Sequence, residues 1–227
     1  MMARLVKSER MNRLIRRDDR VEDMATPTWD LIRDAIEAGK TNEALAFVDY
    51  QQRASKVSHD SLVSFVDDMV TYFAQFGDEH LLEAYKKRYT PRAKNHIANF
   101  PTAKEYFEYC VDNHRTHGGK LTTKEEPDKY VTICDPCGSG GQLRGTRDML
   151  TFKKAYPWTW SRSGIPCYCA HDCIYNEIIP TEIRGYPLRI HLLGEKSQDP
   201  CIHLFYKRPE LIPEEYFARI GKTKTIK

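Results

Sequence analysis

Near residue 120 the hydrophobic pattern of the chain changes from the helical period of about 3.6 residues to the strand period of 2. Before that point Leu62, Phe65, Val66, Met69 and Phe73 recur at helical spacing and end at Gly77, which predicts a core helix. Thr26 and Pro27 read as a helix start and Gly39 as its stop, and Thr41 caps a second helix carrying Leu45 and Val48. Asp78 opens a further helix through Leu82, Tyr85 and Tyr89 that Pro91 interrupts or ends. Thr102 opens another, with Tyr106, Phe107, Cys110 and His114 on one side, stopped by Gly118 and Gly119. Cys110 is expected to be a buried small hydrophobe.

After residue 120 the runs are short. Tyr130 to Cys134 reads as a strand, and Leu188, Ile190 and Leu192 alternate with Arg189 and His191. Ile202, Leu204 and Tyr206 alternate with Cys201, His203 and Phe205, and GEKSQD between the two runs supplies a polar turn. A hairpin centred near Ser197 would set His191 opposite His203. The two regimes predict an α+β fold: an N-terminal helical bundle packed on a small antiparallel sheet, with a cysteine-rich metal-binding loop region. The expected segments are a basic stretch 1–25, a helical region 26–119 and an α+β metal-binding region 120–227.

A chain of 227 residues can bury a core without disulfides. Its 35 Lys and Arg nearly balance 32 Asp and Glu, and a net charge of +3 disfavours nucleic acid as a partner. Basic residues do gather between Arg4 and Arg20, where a solvated helix face or a frayed terminus is expected. No run of about 18 apolar residues offers a membrane span, and no apolar segment near the start resembles a secretory signal. A cytoplasmic location follows as an expectation. Seven cysteines in a reducing compartment point to metal binding rather than disulfides.

Cys134 and Cys137 form a CxxCG half-site, in which backbone amides of the turn can donate to the sulfurs. Some 30 residues on, CYCAHDC offers Cys167, Cys169, His171 and Cys173. Zinc takes four thiolate or imidazole ligands in a tetrahedron, so the expected site joins Cys134 and Cys137 to two of Cys169, His171 and Cys173, with Cys167 spare. An iron-sulfur cluster is the alternative. Ser139, Gly140 and Gly141 could present amides to a carboxylate, with Arg144 and Arg147 close by. Glu177 follows Cys173 by four residues, a helical spacing that would let it move protons beside the metal. Trp158 and Trp160 alternate as in a strand and could flank a ligand or close the core.

The stretch of residues 165 to 210 resembles the vinyl-reductase-type small-molecule-binding domains and the L-2-amino-thiazoline-4-carboxylic acid hydrolase-like family. The matching pieces are CAHDCIYNEIIP and PLRIHLLGEKSQDPCIHLFYKRP, and CDPCGSGG lies outside the pattern. The resemblance implies helices packed on an antiparallel sheet and a pocket for a small carboxylate-bearing molecule. The expected function is therefore a zinc-dependent hydrolase or lyase acting on such a molecule, with Arg144 holding the carboxylate. The alternative is a binding or sensor protein with a structural zinc, and a homo-oligomer is compatible with either.

Overall fold

The computed structural model describes residues 4–10, 12–196 and 199–226. It divides into two compact units, residues 1–61 and 62–227. The change of pattern near residue 120 thus falls inside the second unit.

In the first unit β1 (Arg4–Ser8) pairs antiparallel with β2 (Arg13–Arg17), Arg4 opposite Arg17. The basic stretch expected as a helix face or frayed end is a hairpin. Its turn holds Asn12 at φ +46°, a conformation asparagine tolerates well. Arg16 explains part of the positive charge: its guanidinium donates to the carbonyls of Thr26 at 2.6 Å and Met24 at 2.9 Å and pairs with Asp18 at 3.0 Å. Helix α1 (Thr28–Glu37) buries Leu31 and Ile32, which cluster with Phe47 of the long helix α2 (Thr41–Ala74). The division between the units lies within α2.

In the second unit, α2 places Val63, Asp67 and Val70 inward, whereas Leu62, Phe65, Val66 and Met69 are exposed. Of the stripe expected as core, only Phe73 packs against a buried cluster; the covered face lies one step round the helix and includes Asp67, which Arg147 meets at 3.4 Å. Helix α3 (Asp78–Asn99) runs on through Pro91 rather than ending there. Helix α4 (Ala103–Thr116) starts at a capping box, the Thr102 hydroxyl accepting from the Glu105 amide and the Glu105 carboxylate from the Thr102 amide. It buries Tyr106 and Cys110 against Leu188 and Phe205.

The sheet runs β3 (Leu121–Glu125), β4 (Lys129–Cys134), β6 (Cys201–Tyr206), β5 (Ile190–Leu192), each pair antiparallel. His191 stands opposite His203 as expected. Of the turn between β5 and β6, Ser197 and Gln198 lie outside the described residues. After β4 comes the short helix α5 (Gly140–Thr146). Residues 157–159 form a 3-10 turn, so Trp158 and Trp160 are not on a strand, and Trp160 is buried.

The element that organises the site is a helix of three parts: α6 (Ala170–Cys173), a π segment (Ile174–Ile178) and α7 (Ile179–Arg184). All five π residues are buried, including Asn176 and Glu177. Such a wide turn inside a helix commonly marks a functional position. Here it sets Asp172, Asn176 and Glu177 within the unit, where each must find polar partners. Helix α8 (Glu214–Ala218) follows the sheet. Among the described residues no helix is long and apolar enough to cross a membrane.

Candidate functional site

A cavity of about 360 Å³ opens among α3, α4, the ends of β3 and β4, the CxxCG turn and α6 with its π segment. This volume suits a small organic molecule. Its walls are aromatic, with Tyr89, Tyr106, Tyr109, Tyr168 and Tyr175. Its polar lining includes Arg92, Lys120 and Arg189, together with His114, His171, His203, Asp172, Cys134 and Cys137.

One charge pair lines this cavity, Arg189 with Asp172, NH2 to Oδ1 at 2.6 Å. Asn176 Nδ2 donates to the same oxygen at 2.9 Å, and Tyr106 in turn donates to Asn176 Oδ1 at 2.7 Å. Burial works against the ionised carboxyl of Asp172, but Arg189 and the neighbouring His191 and His171 hold it well below the usual carboxylate range. Arg189 also donates through NH1 to His114 Nε2 at 3.2 Å. That fixes the proton of neutral His114 on Nδ1, which is buried without a partner among the described residues. Burial and then Arg189 push the His114 ring down to about 3, so it is neutral across physiological pH. His203 is lowered for the same reasons, and Thr132 Oγ1 lies 2.9 Å from its Nδ1.

The CxxCG turn leaves β4 with Cys134 opposite Cys201 and Leu121. Cys134 is buried, and burial raises its thiol to about 12. Cys137 is half-buried and lines the cavity. Its thiol is held well below the ordinary value, first by the Cys201 thiol donating to it, against burial, and then by the Ser139 hydroxyl and the amides of Gly141 and Ser139. The Ser139 Oγ is 3.5 Å from its sulfur.

The glycines of this turn serve close packing. A methyl group on Gly141 would meet Cys137 Cβ at 2.9 Å, one on Gly140 would meet Cys169 Sγ at 2.7 Å, and one on Gly138 would overlap the His117 carbonyl. Neither Gly140 nor Gly141 is part of the cavity lining, whereas Ser139 is. Gly138→Ala is expected to cost about 2 kcal/mol or more, because backbone on both sides has to move. A urea midpoint equal to that of the parent would disprove this crowding.

The residues expected as a zinc site are spread through the unit. Cys134, Cys137 and His171 line the cavity, His171 stacked on Tyr89 at 5.8 Å. Cys169 is buried beneath Gly140, and Cys173 Sγ faces the Pro157 carbonyl at 3.6 Å in the core. Cys167 is buried beside Tyr85, whose hydroxyl donates to its carbonyl at 2.9 Å. Among the described residues, the groups of three with ligand atoms within 4.8 Å of one another are His114, Cys134 and His203, and Asp172, His191 and His203. Only Cys134 of the expected set belongs to either.

Arg144 does not line this cavity. Its NH1 donates to the carbonyls of Gly194 at 2.8 Å and Lys196 at 3.0 Å, and its NH2 approaches Cys201 Sγ at 3.7 Å, which ties the CxxCG region to the β5–β6 connection. Arg147 is turned toward α2, where it pairs with Asp67 and Asp68. Glu177 is also outside the cavity lining and fully buried. Its Oε1 accepts from Trp160 Nε1, the His191 amide and Arg219, each at 2.8 Å, and its Oε2 accepts from Arg219 at 2.8 Å.

Asp172, Arg189, Arg92 and His114 are the site residues that sequence reasoning passed over. A signal was available for one of them: Arg189 and His191 alternate with apolar residues on a strand, and that polar face turns inward, covered by α4 and the π segment. Comparison with protein-family models, with curated proteins and with solved structures finds no match to the chain. The resemblance over residues 165 to 210 rests on the pattern of those residues alone.

Proposed function

We propose that residues 62–227 form a thiol-dependent enzyme that acts on a small carboxylate-bearing molecule, by hydrolysis or a related lyase step, with Cys137 as its reacting group. The observation that carries this reading is a half-buried cysteine, met by thiol, hydroxyl and amide donors, in a cavity that also presents Arg92, Lys120 and Arg189. Cys137 acts here as a nucleophile, and among the described residues it belongs to neither three-ligand group.

The basic lining would hold the carboxylate, since guanidinium groups bind carboxylates through paired donors, and the tyrosines would enclose a flat body. A thiolate so placed attacks the carbonyl carbon of an amide or ester, forming a carbon–sulfur bond. Collapse of the tetrahedral adduct breaks the bond to nitrogen or oxygen, and the leaving group departs as an amine or alcohol with a proton from water, leaving a thioester. His114, with its proton on an unpartnered Nδ1, supplies a donor to the oxygen or nitrogen on which negative charge develops. Water then adds to the thioester carbon and the carbon–sulfur bond breaks, releasing the acid and returning Cys137 to its thiolate form.

Two alkylating reagents that differ in charge test this reading without a known substrate. With chelator present at pH 6, iodoacetate is expected to modify Cys137 first, because the other cysteines are buried. It should also react about tenfold faster than iodoacetamide, through attraction to the basic lining. Faster reaction with the neutral reagent would remove the carboxylate pocket, and an unmodified Cys137 would remove the nucleophile.

A further inference from the structure

We propose that Asp172, His191 and His203 form a site for one first-row divalent transition-metal ion, held by two imidazoles and one carboxylate. The three ligand atoms lie within 4.8 Å of one another, on α6, β5 and β6. His191 is 3% exposed; its Nδ1 faces Asp172 Oδ2, and its Nε2 has no hydrogen-bond partner among the described residues. Leaving a ring nitrogen unsatisfied is costly for a buried imidazole, so its burial calls for a group that the described residues do not provide.

The spacing fits an ion. His191 Nδ1 and Asp172 Oδ2 approach to 2.9 Å without hydrogen-bond alignment. Two neighbouring ligands on a six-coordinate ion at about 2.1 Å stand roughly 3 Å apart. The outer contacts leave the right atoms over. Arg189 and Asn176 both take Oδ1 of Asp172, leaving Oδ2. Thr132 engages Nδ1 of His203, leaving Nε2. Metal-binding histidines and carboxylates are ordinarily fixed in this manner through their second atom. The strand register sets His191 and His203 face to edge, ring centroids 4.6 Å apart, so both imidazoles reach one point from neighbouring strands.

Two imidazoles and a carboxylate suit iron(II), cobalt(II) or zinc(II) rather than magnesium or calcium, which prefer oxygen ligands throughout. Asp172 and His203 also line the cavity, so positions left on the ion would open toward a bound molecule. The site competes with the group of His114, Cys134 and His203, which shares His203. Cys134 is the weaker ligand because a thiol gives up a proton on binding, whereas Asp172 already stands paired with Arg189 as a carboxylate.

Cobalt(II) titration of the full chain, after dialysis against chelator, tests the assignment. One equivalent should bind with visible ligand-field bands and without a thiolate-to-cobalt charge-transfer band. His191→Gln, and separately Asp172→Asn, should weaken cobalt binding on the order of 100-fold or more. Cys134→Ser and Cys137→Ser should leave binding within about threefold, as residues outside the ligand set. The parent titration decides even where a variant folds poorly. A thiolate band, or loss of cobalt in Cys134→Ser, would move the ion to a cysteine site, and no binding at millimolar cobalt would reduce the trio to an ion pair. Because iodoacetate labelling of Cys137 is read with chelator present, failure of this metal assignment is distinct from failure of the thiol mechanism.

Discussion

Glu177→Gln is expected to lower the free energy of unfolding by about 3 kcal/mol, the lower end of what breaking one side of a buried ion pair costs. Glutamine keeps the size of the side chain and one acceptor for Trp160 and the His191 amide. It removes the charge that Arg219 meets through both carboxylate oxygens. Arg219 retains some contact with water, its side chain being 20% exposed, which is why the larger end of the range is not expected. Glu177→Leu should cost more, because it also strands the indole N–H of Trp160 and the His191 amide. Urea unfolding followed by tryptophan fluorescence reads both effects. Parent-like midpoints in the two variants would show that the carboxylate does not anchor this region.

The same contacts recast Glu177 in the chemistry. A carboxylate with both oxygens committed to fixed donors is poorly placed to carry protons. What it does hold is β5: it binds the amide of His191 while Arg219 donates to the His191 carbonyl at 3.0 Å. Glu177 is therefore a positioning residue for His191, and through it for the trio of ligand atoms.

The contrast between Glu177 and Cys110 shows what a linear pattern can carry. Cys110 sits among Tyr106 and Phe107 at helical spacing, so its burial follows from period alone, as does the helix start at Thr102 and Glu105. The register of His191 against His203 follows from two alternating runs about a turn. In each case the information is local. The Leu62 to Met69 stripe has equally good local grammar, but which face of a helix is covered depends on what packs there. In α2 the covered face includes Asp67, whose burial makes sense only with Arg147 from 80 positions later.

The site escaped the sequence for a related reason. Cysteines attract attention as a set, yet the fold sends Cys169 and Cys173 into the core and brings Cys201 to Cys137 instead. That meeting depends on β4 and β6 being neighbours, with Cys134 and Cys201 in register. Asp172, Arg189 and His114 come from three separate elements, and no spacing rule joins them. The expected α+β class survives because it needs only the order of helices and strands, whereas a ligand set needs tertiary register.

Metal-free protein is expected to lose stability steeply as pH falls from about 6.5, well above the range in which carboxylates titrate. Three buried histidines drive this. Burial, reinforced by Arg92 and Arg189, lowers His96 to about 4, burial with Arg189 lowers His114 to about 3, and burial with Arg189 holds His203 well below its ordinary value. In the unfolded chain all three return to about 6.5. Between those values the unfolded state binds protons that the folded state refuses, so stability rises with pH and falls with acid. Each ring contributes close to 1.4 kcal/mol per pH unit at full effect, and the three together about 3 kcal/mol per unit between pH 6 and 4.5 once partial relaxation is allowed for. That loss is large against the total stability of an ordinary domain, about 5 to 15 kcal/mol. Asp172 acts in a lower window. Its folded value lies below the usual carboxylate range, so its contribution is complete above about pH 4 and is lost only as pH falls further. His96 accepts or shares a proton with the Tyr175 hydroxyl at Nδ1, and His96→Gln keeps a polar group there without a titrating ring. Urea unfolding of chelated protein at pH 7, 6 and 5 should show the decline, and His96→Gln should reduce its slope by about a third. A stability unchanged from pH 7 to pH 5 would mean that these rings meet water in the folded state, and would contradict the buried, arginine-flanked setting from which the cavity is built.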